Sequence, residues 1–235
     1  MPRATACFIC CGLNPRLGVT TTARLLADFH LGLGRSFLGF DADPVDRSFA
    51  VHFERATVVV DLDKVPGQMA LFDRLLVPDA QPRIIDLHHR VFTRFFAVAE
   101  QIGFQQEAHR NGMEPIIIFH VDATNESLAA ARKLAQRRPS IRCVFAADRG
   151  APSAGTHANE WLARYPAEEK LVIGALDSET RALFDRPEFS LGRMLEAPPT
   201  THSIVHLTAL KAWLTPIFRQ MRRFETAGVF DDGDA

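Results

Sequence analysis

The 235-residue chain has no apolar run approaching the roughly 20 residues that a membrane-spanning helix needs. Its early apolar stretch, residues 4–11, is too short for a signal peptide and lacks a small-residue cleavage site. The expectation is a cytoplasmic protein without a transmembrane segment. Net charge is also missing: 27 Lys and Arg against 28 Asp and Glu leave −1. No global field therefore steers nucleic acid or an anionic membrane towards the chain, and such binding would need a local patch. Cysteines number four. Cys7 and Cys10 form a C-x-x-C, which raises a redox or zinc reading, but they share an apolar strand with Cys11 while Cys143 lies far away. Core packing is the simpler role. No Gly-x-Ser-x-Gly and no Cys/His pairing of known spacing supports a hydrolase with a covalent nucleophile. There are no internal repeats and no linker, and the length suits one sizeable α/β core better than two domains.

The chain does have an organising stretch, residues 7–26. The apolar run Cys7-Phe8-Ile9-Cys10-Cys11 gives way to a loop with Gly12, Pro15 and Gly18, and then to apolar residues at helical spacing. Strand, loop and helix in that order make the layout of a phosphate-binding loop. Such loops turn backbone N–H groups and a helix N-terminus towards phosphate, with a Lys for charge and a Ser or Thr hydroxyl for Mg²⁺. Here Thr20 is present and the Lys is not.

Further along, strands and helices alternate. Strands are expected at 36–40, 57–61, 83–87, 115–121, 141–147 and 171–176, and helices at 20–33, 67–76, 91–102, 127–138, 157–165, 178–185 and 203–226. This alternation predicts an α/β fold, a doubly wound, mostly parallel sheet covered on both faces. One domain spans 1–226, and 227–235 forms an acidic tail. Ligands of open α/β sheets bind at strand carboxyl ends, which places Asp41 and Asp43, after the second strand, where phosphate-bound Mg²⁺ or an attacking water would sit.

Residues Asn14 to Thr21, followed by Thr22-Ala23-Arg24-Leu25-Leu26-Ala27 and by Phe40-Asp41-Ala42-Asp43-Pro44, resemble the deviant P-loop ATPases of the ParA/MinD group. Loops of that group read Lys-Gly-Gly-X-Gly-Lys-Thr-Thr, and their second strand ends in an Asp-X-Asp-Pro-like switch. Gly18, Thr20 and Thr21 match the pattern. Asn14 stands at the signature lysine, Pro15 and Arg16 at two glycines, and Val19 at the phosphate-gripping lysine. The resemblance implies ATP and Mg²⁺ as cofactors, with phosphates held by Arg16, Leu17, Gly18, Val19, Thr20 and Thr21. It implies a metal set of Thr20, Asp41 and Asp86, with Asp86 ending a Walker B-like strand, and it places Asp43 at the catalytic water. Asp148 takes the position of an Asn that contacts the base. Protein partners, a homodimer among them, are implied too. Asp41-Ala42-Asp43-Pro44-Val45 with Phe72-Asp73-Arg74-Leu75 further resembles ParA-like accessory proteins of conjugative transfer and plasmid stability.

Two side readings accompany these. His88 and His89 follow Asp86, but adjacent strand residues point to opposite faces, so packed or solvated histidines are a better reading than zinc. The last helix carries Leu210, Trp213, Ile217, Met221 and Phe224 with Lys211, Arg219, Arg222 and Arg223. Its interruption by Pro216 and the acidic tail behind it favour core packing over a membrane anchor. Losing two lysines, and the N–H that Pro15 cannot donate, lowers the expected nucleotide affinity by about two to four orders of magnitude. Two functions follow: a nucleotide-dependent switch with weak or absent hydrolysis, or a pseudo-ATPase kept as an interaction module.

Overall fold

The computed structural model describes residues 4–136, 142–151, 160–187, 189, 191 and 203–226. Among them, β1 (Thr5–Gly12), β2 (Leu38–Asp41), β3 (Thr57–Val59), β4 (Arg83–Asp86), β5 (Met113–His120), β6 (Arg142–Asp148) and β7 (Lys170–Ile173) form one sheet. The strand order is β3-β2-β4-β1-β5-β6-β7, and every pairing is parallel. The order reverses at β1: the chain leaves it towards β2 and β3, returns to β4, then crosses to β5 on the other side. Ligand crevices of doubly wound sheets open at such a reversal. Register aligns the strand ends there, with Asp86 paired to both Cys10 and Asp41, and His120 paired to Gly12.

The central strands are apolar between polar ends because both faces are covered. Alternation along β1 sends Cys7, Ile9 and Cys11 into one core and Phe8 and Cys10 into the other. Cys7 and Cys10 thus face opposite sides of the sheet, which removes the geometry of a C-x-x-C site. Burial pushes the Cys7 thiol up to about 12 and raises Cys10 as well. The first core packs α2 (Val65–Leu75), α3 (Phe92–Gln101), α4 (Phe104–Arg110) and α5 (Asn125–Gln136). The second packs α1 (Val19–Gly32), α6 (Ser178–Phe184) and α7 (Ile204–Thr226). In α7, Leu210, Trp213, Leu214, Ile217 and Met221 are buried against this second core despite Pro216.

Several boundaries differ from the sequence expectation. α1 spans Val19–Gly32 with Leu33 as its C-cap, and Gly34 just beyond takes a φ of 69° that suits a residue without a Cβ. α2 begins at Val65 because Pro66 sits in its first turn, where a missing N–H costs nothing. The segment 91–102 divides into a 3₁₀ turn, His89–Val91, and α3, and then α4 follows Gly103, a helix the sequence reading left unassigned. Thr124 Oγ1 accepts the Ser127 N–H at 3.2 Å and caps α5. Part of the 157–165 helix and the 227–235 tail lie outside the described residues.

Candidate functional site

The loop between β1 and α1 is built by constraints that reach beyond it. Gly18 precedes the first turn of α1 at φ 88°, ψ 18°. A Cβ there would stand 2.5 Å from Asp148 Oδ2 and 2.6 Å from Asp148 Cβ, so the position requires glycine twice over. His120, fully buried at the end of β5, braces the loop from beneath: Nδ1 lies 2.9 Å from the Leu17 carbonyl and Nε2 lies 2.8 Å from Thr22 Oγ1. A carbonyl only accepts, so Nδ1 carries the proton and the Thr22 hydroxyl donates to Nε2. Burial lowers this imidazole to about 4 and keeps it neutral. Asn14 Nδ2 donates to Asp122 Oδ2 at 2.6 Å. Pro15 and Arg16 are exposed at the tip, Arg16 with a left-handed φ of 59° where the family pattern has glycine.

Above the loop opens a cavity of about 580 Å³. It is lined by Arg16, Leu17, Gly18, Val19, Thr20, Thr21, Asp43, Asp86 and Asp148, together with Asn14, Asp46, His88, His89, Arg90 and Arg181. The first-turn N–H groups of α1 have no intrahelical acceptor, and the cavity lies over them. Thr20 Oγ1 donates to Asp86 Oδ2 at 2.7 Å. Burial, then the nearby charges of Asp41 and Asp43, lifts Asp86 to about 7, partly offset by the Thr20 hydrogen bond. Asp43 Oδ1 accepts the N–H groups of Val45 and Asp46, and its Oδ2 lies 3.6 Å from His88 Nε2.

Asp41 has a different place from the one the resemblance implies. It is buried and does not line the cavity. Its carboxylate accepts the N–H groups of Asp43, Phe49 and Ala50 at 2.9–3.0 Å and so shapes the loop after β2. Asp148 is 2% exposed: Oδ1 accepts the Gly150 N–H at 2.8 Å, Oδ2 has no hydrogen-bond partner among the described residues, and burial raises the group. The sequence reading did not include Arg181, Arg90 or His120. Arg181 Nη2 lies 3.4 Å from Thr21 Oγ1 and Nε donates to Asp185 at 2.8 Å.

Among the described residues no three His, Cys, Asp or Glu side chains form a metal-holding cluster. Mg²⁺ keeps water and takes one or two carboxylates plus ligand phosphates. The Thr20 hydroxyl and the Asp86 carboxylate, joined by one hydrogen bond, are hard oxygen donors of that kind. Asp43 lies on the same side of the cavity.

No protein-family model and no curated protein matches the chain. Among solved structures the fold matches that of a nucleotide-binding protein from Archaeoglobus fulgidus, determined in complex with ADP and with Co. The TM-score is 0.52 and the identity 16%, over 83% of this chain and 89% of that one. The architecture is thus a doubly wound α/β fold shared with that protein. Among the described residues no helix is long and apolar enough to cross a membrane.

Proposed function

We propose that this chain binds a nucleotide with Mg²⁺ and acts as a ParA/MinD-like switch with weak or no hydrolysis, in plasmid partition, conjugative transfer or subcellular positioning. The observation that carries the nucleotide reading is the cavity itself: it lies over the first turn of α1 at the sheet's reversal point, with the Thr20–Asp86 pair at its side. The backbone of 17–21 and the Thr20 hydroxyl hold the phosphates and cation, and Asp86 accepts from the hydroxyl or binds the cation. When bound, Mg²⁺ supplies positive charge against the phosphate oxygens. Asp43, with His88 beside it, is the group available to orient water.

Hydrolysis is expected to be slow, because charge on a transferred phosphoryl group needs preorganised cations and Val19 offers none. The second reading, an interaction module without nucleotide, is favoured by the tip of the loop. There Pro15 lacks an N–H and Arg16 holds a left-handed backbone. Titration calorimetry with Mg·ADP and Mg·ATP tests both. Wild type should bind weakly, and the triple variant Val19→Lys, Pro15→Gly, Arg16→Gly should bind about ten- to a hundredfold more tightly per recovered contact. No binding by either protein would favour the interaction module.

A further inference from the structure

A loop without lysine has a second electrostatic problem in this fold. Asp148 presses against Gly18 at the N-terminus of α1 and lines the cavity, and its buried Oδ2 has no hydrogen-bond partner among the described residues. An acceptor-only carboxylate at that point repels phosphate unless a cation stands beside it. Arg181 is that neighbour. Its Nη2 reaches to 3.4 Å from the hydroxyl of Thr21, in the first turn of α1. Its Nη1 lies 3.8 Å from the point a Cβ of Gly150 would occupy, next to the loop that Asp148 holds. The guanidinium is held by Asp185 through Nε, and α6 is fixed by the Asp177 cap and by the buried Phe184, while the side chain is 33% exposed and lines the cavity.

We propose that Arg181 supplies the positive charge that residues 14–21 lack, offsetting Asp148 and binding the ligand phosphate that lies over the first turn of α1. The inference rests on the nucleotide reading above. Strand order places the two poles on opposite sides of the loop. Asp43 and Asp86 come from β2 and β4, and Asp148 and Arg181 from β6 and the helix after β7. A planar guanidinium with several donors matches a phosphate as one lysine would, from a different direction.

The test is calorimetry with pyrophosphate, Mg·ADP and adenosine on wild type, Arg181→Gln, Arg181→Lys, Asp148→Asn and the Asp148→Asn, Arg181→Gln double variant. Arg181→Gln should weaken pyrophosphate and Mg·ADP by about ten- to a hundredfold and leave adenosine unchanged. Arg181→Lys, which keeps the charge, should recover most of that loss. Asp148→Asn preserves shape and the Gly150 contact; it should strengthen pyrophosphate binding, and the double variant should bind more tightly than Arg181→Gln alone. Wild-type affinity for pyrophosphate in Arg181→Gln, or a loss of equal size for adenosine, overturns the phosphate role while leaving nucleotide binding intact. Failure of wild type to bind pyrophosphate or Mg·ADP overturns both readings.

Discussion

At the scale of single residues, the loop depends on positions where one atom decides the outcome. Gly18 is the clearest case, since its φ of 88° disfavours any side chain and a Cβ would meet Asp148 at 2.5 Å. Gly18→Ala therefore combines left-handed strain with a clash against a buried carboxylate. The expected cost is on the order of 2 kcal/mol or more, read as a lower urea midpoint, with loss of phosphate binding. An unchanged midpoint would mean that the β6 end yields easily. Arg16 shows the converse: at φ 59° it occupies a glycine-like conformation on an exposed tip, where the strain can be relieved by substitution. His30 is a third such residue. It is fully buried between Phe8 and Phe29, neither ring nitrogen has a hydrogen-bond partner among the described residues, and desolvation, with the charge of Arg35 adding to it, lowers it to about 4.

At the scale of elements, α7 closes the edge of the sheet at β7. Gln220 Oε1 accepts the Val172 N–H at 2.9 Å and its Nε2 donates to the Val172 carbonyl at 3.0 Å, so one side chain completes the backbone pairing of an edge strand. Gln220→Ala should cost about 1–3 kcal/mol and speed amide exchange at Val172. Unaltered exchange there would show that water replaces the side chain without loss. The same scale explains what the sequence displayed. Strands such as 83–86 and 113–120 were legible because apolar runs bounded by polar ends are what a twice-covered parallel sheet needs. α4 was not legible: seven residues supply only Phe104 and Ala108 as a buried pair, too little for a periodicity. For the candidate site, Gly18, Thr20, Asp43, Asp86 and Asp148, which line one cavity, could be picked out as candidates because a strand–loop–helix unit and polar strand ends are local patterns. Arg181 was hidden because it is 160 residues from Thr21, and His120 because it is 98 from Thr22. Only the strand order brings them together. Asp41 looked like a ligand by position, yet three backbone N–H groups claim its oxygens.

At the scale of the whole molecule, His30 makes stability depend on pH. Its folded value of about 4 lies below the ordinary 6.5, so between these limits the unfolded chain binds the extra proton. The contribution of His30 to stability is therefore fully present above pH 6.5 and is lost as pH falls towards 4. His30→Phe removes that penalty and the unpaired ring N–H together. Compared at pH 7 and pH 5 by urea unfolding, wild type should lose roughly 2 kcal/mol more than the variant on acidification. The difference between the two proteins cancels the carboxylates, which titrate alike in both. Equal losses would place the imidazole in contact with water.

Assembly is the last question at this scale, and Asn14 bears on it most directly. In the family this loop resembles, a lysine at that position crosses to a second subunit and makes ATP the link between copies. Here the side chain is short, neutral and already committed within its own chain. It donates to Asp122, which is 4% exposed, at 2.6 Å, and it lies 3.4 Å from Thr124 Oγ1, the hydroxyl that caps α5. Releasing it would leave Asp122 without that donor, a cost on the order of 1–3 kcal/mol that nothing across an interface is charged to repay. Sedimentation velocity with and without Mg·ATP should accordingly show the same species at equal protein concentration. Conversion from monomer to dimer on adding nucleotide would mean that another group, with Arg16 and Arg90 at the cavity mouth the first to substitute, carries the contact instead.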